Sequence, residues 1–150
     1  MAFSKASPPK LVLASASPRR LSLLQQIGVT VDRVIAPDVD ESVRNGEQAK
    51  VYAKRIASEK ARQVACLVDR TDTFILAADT VVCLGRRIIG KPETEAEAVR
   101  ALSLLSGRGH RVITAVALLV PDGHMSERLV ETRIAFKRLS LVERQAYLAS

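Results

Sequence analysis

The stretch Lys10-Leu11-Val12-Leu13-Ala14-Ser15-Ala16-Ser17-Pro18-Arg19-Arg20 decides the fold class. Its first five residues form an apolar run that reads as a buried strand. Ser15-Ala16-Ser17 reads as a loop, with Ser17 as the N-cap of a helix. Pro18 takes the first helical position, where its missing N–H costs nothing. Leu21, Leu24 and Ile27 then give one apolar face, and Gly28 stops the helix. A strand, a short polar loop and a helix in that order open an α/β unit.

The pattern continues outward from this unit. Residues 29–35 read as a second strand. Residues 37–46 form a polar loop that carries Asp38, Asp40 and Glu41. A long helix over 47–68 shows the stripe Tyr52, Ile56, Lys60, Val64, with Lys60 where an apolar residue is expected. Residues 73–78 form a strand that ends at Asp79-Thr80, and 81–84 are a candidate continuation. Gly85-Arg86 is a turn, 87–89 a short return strand, and Gly90-Lys91-Pro92 breaks the pattern. Thr94 and Glu97 predict a capping box for a helix that buries Val99, Leu102 and Leu105 and ends at Gly107. Strands follow at 110–120 and 129–139, separated by the turn signal Pro121-Asp122-Gly123; the second places Val130, Thr132, Ile134 and Phe136 on one face. Ser140 and Glu143 form a second capping box before a final helix. Alternating strands and helices with inserted hairpins predict an α/β domain with a mixed, twisted sheet flanked by helices. Residues 1–9 read as a disordered N-terminal extension and 10–150 as the domain.

Composition narrows the chemistry. Hydrophobic residues make up 47% of 150 and aromatic residues 3%, so one aliphatic core is expected. No apolar run approaches the ~20 residues of a membrane helix, and residues 1–10 lack a signal-peptide core. The reading is a soluble, cytoplasmic protein without a membrane partner. Cys66 and Cys83 sit in apolar stretches without ligand spacing and read as small buried hydrophobes. A net charge of +7 favours anionic partners, either nucleotide, nucleic acid or a membrane surface, and equally fits a solvated basic surface.

Several residues carry candidate chemistry. The turn at Ser15-Ala16-Ser17-Pro18 offers backbone N–H groups and a helix N-terminus to an anion, with hydroxyls from Ser15 and Ser17 and forked donors from Arg19 and Arg20. The bland alternative is a capped helix with two solvated arginines. The loop is not a Walker A, since it lacks the glycines and the Gly-Lys-Ser/Thr ending. Asp79 ends an apolar strand, so its carboxylate needs a cation, a metal or N–H donors, or is satisfied as a cap. Lys60 and Lys91 are candidate phosphate partners; a snorkelling Lys60 and an ordinary exposed Lys91 are the alternatives. Asp38, Asp40 and Glu41 suit a hard divalent cation, or form a solvated acidic loop. Arg108 and His110 could meet an anion or merely favour the helix C-terminus, and for His110 the bland reading is preferred. Phosphate chemistry with a carboxylate-held metal is the economical reading.

Ser15-Ala16-Ser17-Pro18-Arg19-Arg20, Asp40-Glu41, Glu59-Lys60-Ala61, Ala78-Asp79-Thr80, Gly90-Lys91-Pro92 and Ser106-Gly107-Arg108-Gly109-His110 together resemble the Maf family, in order and at familiar spacing, over about residues 11–147. The resemblance implies a fold similar to the inosine triphosphate pyrophosphatases (Maf/Ham1-like). It implies cleavage of nucleoside triphosphates between the α and β phosphates, giving a nucleoside monophosphate and pyrophosphate with a divalent metal such as Mg²⁺, Mn²⁺ or Co²⁺. Asp79 would activate water and bind the metal, with Glu41 assisting. Ser15, Ser17, Arg19, Arg20, Lys60 and Lys91 would hold the triphosphate, and Arg19 and Thr80 match positions that influence base choice.

Pro18-Arg19-Arg20 with Asp79-Thr80 resembles the subgroup acting on dTTP, UTP and sometimes modified pyrimidine nucleotides. The sister subgroup, acting on 7-methyl-GTP, typically carries Asp-Gln there and is the alternative. Relatives continue past Tyr147 with a Gly-Gly-Tyr-Gly-Ile-Gln-type segment, a strand and a helix. The expected domain is therefore C-terminally incomplete, without the glutamine that helps recognise the base. A nucleotide-binding fragment of low activity and a basic nucleic-acid binder are further readings, the last ranked third; no stable nucleic-acid complex is expected. The family is also linked with inhibition of septum formation, and a homodimer is compatible with it.

Overall fold

The computed structural model describes residues 8–150. The expected N-terminal extension falls mostly outside the described residues; Pro8 and Pro9 are exposed and outside any regular element. The elements run β1 (Lys10–Ala14), α1 (Pro18–Gln26), β2 (Arg33–Ile35), α2 (Ala49–Ala65), β3 (Thr73–Leu84), β4 (Arg87–Ile89), α3 (Glu95–Leu105), β5 (Gly109–Leu119), β6 (Met125–Ala135) and α4 (Leu141–Leu148). None of the described helices is long and apolar enough to cross a membrane.

Six strands form one mixed sheet in the order β2-β1-β3-β5-β6, with β4 paired to β3. β1 lies parallel to β2 and β3, whereas β5 runs antiparallel to β3 and β6 antiparallel to β5. The parallel half comes from the strand–loop–helix units. The antiparallel half comes from the hairpin whose turn holds Gly123 at φ +95° and whose Asp122 carboxylate accepts the His124 N–H at 2.8 Å.

α2 lies across one sheet face and makes the core. Its spacing-of-four stripe is buried as read: Tyr52, Ile56, Lys60 and Val64 all face the sheet. They meet Ile75, Ala77, Val81 and Cys83 of β3 and Ile113, Ala115 and Ala117 of β5. The many alanines let the helix approach the strands closely, and each large aliphatic side chain buried there contributes roughly 1.5–3 kcal/mol.

Several expectations change on folding. The second strand is short, three residues instead of the span 29–35. β3 runs through Asp79 to Leu84, taking up the candidate continuation at 81–84, so Asp79 is a mid-strand residue on the buried face rather than a strand end. β6 begins earlier than expected and turns Leu129 toward the core, leaving Val130 58% exposed; acidic Glu127 and Glu131 share the α2-facing side because Ser58, Lys54 and Lys50 pair with them. Val99 and Ile27 are exposed, while Leu105 is the buried residue of α3. Cys83 is buried as expected, but Cys66 is exposed because α2 has ended at Ala65. Ser140 and Glu143 form the full capping box, whereas Glu97 reaches the Glu93 N–H and only the Thr94 half of the first box is made.

Candidate functional site

β1 stops at Ala14, opposite Ala77, while its neighbour β3 runs on. The step exposes the flank of β3 beside Ala78, Asp79 and Thr80. The loop 15–17 and the start of α1 overhang this step, and α2 closes it from below. The result is a cavity of about 830 Å³ lined by Ser15, Ser17, Arg19, Arg20, Glu41, Lys60, Thr80 and Lys91, with an apolar floor of Leu76, Ala78 and Val116.

The charged centre is built across three elements. Asp79 is 2% exposed and Lys60 4% exposed. Lys60 Nζ lies 2.8 Å from Asp79 Oδ1 and 2.7 Å from Glu41 Oε1. Lys91, largely in water, reaches Glu41 Oε2 at 3.6 Å. A buried ammonium or carboxylate is costly alone, so each is tolerable because the other is there. Lys60 thus does not snorkel; its ammonium stays inside because two carboxylates meet it. Burial alone would raise the Glu41 carboxyl, but the hydrogen bond and charge of Lys60, aided by Lys91, outweigh it and hold Glu41 below the ordinary carboxylate range.

On the opposite sheet face the overhang is polar. Ser15, nearly fully buried, accepts the Ser17 N–H on its Oγ at 3.1 Å and an Arg20 N–H at 3.4 Å. Ser17 occupies the N-cap position with extended backbone but makes no side-chain cap bond, so its hydroxyl is not committed to the helix. Arg20 also donates to Thr80 Oγ1 at 3.3 Å. Burial lowers the Arg20 pKa against the raising pull of Asp79 and Glu41; a guanidinium nonetheless stays charged at pH 7. Arg19 is exposed at the rim.

The structure therefore gathers Ser15, Ser17, Arg19, Arg20, Glu41, Lys60, Thr80 and Lys91 around one cavity, with Asp79 buried behind its wall and joined to it through Lys60. It does not bring in the rest of the acidic loop. Asp40 Oδ1 accepts the Ser42 N–H at 2.9 Å, and exposed Asp38 is tied through its backbone to Gln63. Arg108 is exposed, and His110 is buried edge-to-face against Phe136 with ring centroids 4.8 Å apart, in keeping with its structural reading.

Sequence reasoning missed what holds Glu41 in place. Tyr52 O–H donates to the Glu41 carbonyl at 2.8 Å, and Arg55 donates to the Ser42 carbonyl at 2.9 Å. Arg55 is itself gripped by Glu47 at 2.7 Å and Glu59 at 3.3 Å. Burial, followed by the negative charges of Asp79 and Glu41, pushes the Tyr52 hydroxyl up to about 12, so it remains a donor. It also missed Thr114, whose hydroxyl stands 3.0 Å from that of Thr80. A lone hydroxyl within the apolar run 112–119 was the available signal.

Solved structures share this architecture. A nucleoside-triphosphatase / dITP/XTP pyrophosphatase from Mycobacterium abscessus superposes with a TM-score of 0.51 at 18% identity, over 87% of this chain and 75% of that one. The Ham1 protein of Staphylococcus aureus gives 0.57 at 18% identity, over 83% and 70%. At such identity the likeness establishes the fold alone, and it agrees with the expected Maf/Ham1-like sheet. Sequence relatives are much nearer. A dTTP/UTP pyrophosphatase from Caulobacter vibrioides is 57% identical over 145 residues, 97% of this chain and 74% of the relative. One from Mesorhizobium japonicum is 49% identical over 94% of this chain and 70% of the relative. The family model described as Maf-like protein matches residues 10–150, the span that holds every cavity residue, and the chain belongs to the Maf family.

Proposed function

We propose that the chain is a nucleoside triphosphate pyrophosphatase acting on dTTP and UTP, which adds water across the α–β phosphoanhydride and releases a nucleoside monophosphate and pyrophosphate. The observation that carries this reading is the Lys60 ammonium joined to Asp79 and Glu41, at 2.8 and 2.7 Å, in the wall of a cavity whose rim is cationic. The names of the relatives agree with it.

The donor set suits a hard divalent ion. Among the described residues no group of three or more His, Cys, Asp or Glu is placed to hold a metal ion by itself. Mg²⁺ and Mn²⁺ instead suit one or two carboxylates completed by water and substrate phosphates, and Asp79 and Glu41 already converge on one point charge. When bound, such an ion supplies a more acidic water and neutralises phosphate charge.

The chain's own residues would divide the remaining work. Ser15, Ser17 and the α1 N-terminus offer hydroxyl and N–H donors to phosphate oxygens. Arg19 and Lys91 bring charge from the rim, and Arg20, held against Ser15 and Thr80, adds a guanidinium from inside the cavity. Lys60 bridges Asp79 and Glu41 and faces the triphosphate. Asp79 takes the proton of the attacking water. The apolar floor accepts the base.

A panel of dTTP, UTP, CTP, GTP and 7-methyl-GTP, read by pyrophosphate release with Mg²⁺ or Mn²⁺, tests the proposal. Turnover of dTTP and UTP, reduced at least about 100-fold in Asp79→Asn, is expected. A preference for 7-methyl-GTP moves the chain to the sister subgroup, and no metal-dependent turnover of any triphosphate rejects the reading.

A further inference from the structure

We propose that Thr114 is a specificity-determining residue that reads the base: its hydroxyl is the outer end of a hydrogen-bond chain, Arg20 to Thr80 to Thr114, that presents a proton donor to a pyrimidine carbonyl. This rests on the nucleotide substrate proposed above. Thr80 and Thr114 are register partners on β3 and β5, and both side chains line the cavity beside Ala78 and Val116. Their oxygens lie 3.0 Å apart, close enough for one hydrogen bond whose direction geometry alone leaves open. Arg20 sets that direction. A guanidinium has donors and no acceptor, so Thr80 Oγ1 must accept from it at 3.3 Å. The positive charge also turns the Thr80 O–H dipole away from Arg20, toward Thr114. Thr114 then receives that proton and has its own left to donate outward. Hydrogen bonds linked in this way polarise one another, which strengthens the outward donor.

The chemistry selects among bases. Uracil and thymine carry a carbonyl acceptor at C4, where cytosine carries an amino donor. A hydroxyl held as a donor meets the first and opposes the second. Cytosine turns an amino donor toward that hydroxyl and forgoes the bond its proton offers.

The test compares kcat/KM for UTP and CTP in the wild-type chain, Thr114→Val and Thr114→Ser. The valine variant keeps the shape of the side chain and removes the hydroxyl; the serine variant keeps the hydroxyl. The expected result is a UTP-over-CTP ratio lowered roughly tenfold in Thr114→Val, mostly through UTP, and held within about threefold of wild type in Thr114→Ser. Thr114→Ala gives the same comparison if the valine variant fails to fold. An unchanged ratio in an active valine or alanine variant overturns the inference while leaving the pyrophosphatase reading intact. A serine variant as impaired as the valine one also overturns it. A wild-type chain that turns over no triphosphate overturns the proposed function, and this inference with it.

Discussion

Lys60→Met is the sharpest test of how the charged centre is held. Methionine keeps the unbranched stem that packs on the α2 stripe and removes the ammonium. Lys60 is the one ion-pair partner of Asp79 among the described residues, at 2.8 Å, and both side chains are almost completely buried, at 6% and 3% exposed. Removing one member of such a pair costs about 3–5 kcal/mol, because the other charge is left inside. Glu41 adds little to the loss, since its side chain is 40% exposed and water screens it. The lower end, about 3 kcal/mol, is therefore expected, or a drop of roughly 6–12 °C in Tm for a chain of this size. The reverse substitution should be milder. In Asp79→Asn the ammonium keeps Glu41 at 2.7 Å, so about 1 kcal/mol is expected. The double variant should then cost less than the sum of the two by at least about 1 kcal/mol. Urea unfolding followed by far-ultraviolet circular dichroism measures all three. A loss under about 1 kcal/mol in Lys60→Met, or strict additivity in the double variant, would refute the buried-pair account.

Two further outcomes follow from the clamp on the acidic loop. Arg55 hydrogen-bonds Glu47 and lowers its carboxyl from 4.5 to about 2. A carboxyl depressed in the folded state adds stability that is complete above its unfolded value and is lost as pH falls toward the folded one. The stability gap between wild type and Glu47→Gln should thus be constant above about pH 5 and shrink between pH 4.5 and 2, as read from urea midpoints across that range. Tyr52→Phe removes the 2.8 Å bond to the Glu41 carbonyl without touching the cavity floor. A fall in kcat of roughly three- to tenfold with KM within about twofold is expected from steady-state kinetics, and a change confined to KM would show that the tyrosine does not position Glu41.

Much of the fold was legible because it rests on local chemistry. The first strand, the Pro18 helix start, the α2 stripe and the Ser140 capping box depend on residues within a few positions of one another, and each appears where the pattern placed it. Element ends were less legible. Asp79 looked like a strand terminus because a carboxylate rarely continues an apolar run. The strand in fact passes through it, because Lys60, 19 residues earlier in sequence, supplies the charge that lets it stay. The polar residues of β6 misled in the same way: Glu127 and Glu131 face α2 because Ser58 and Lys50 are waiting there.

By itself the sequence determined the alternation of strands and helices, the aliphatic core and a list of candidate phosphate and metal residues, since these follow from residue type and short-range spacing. Only the tertiary structure decided which of those candidates lie together. Of three acids in one loop, it selected Glu41, because Tyr52 and Arg55 grip the backbone there while Asp40 turns back on its own chain. Of two neighbouring arginines, it turned Arg20 toward Thr80 and left Arg19 at the rim. It also turned the odd lysine on an apolar stripe into the centre of the site, because a buried charge is settled by partners that are distant in the chain and adjacent in space.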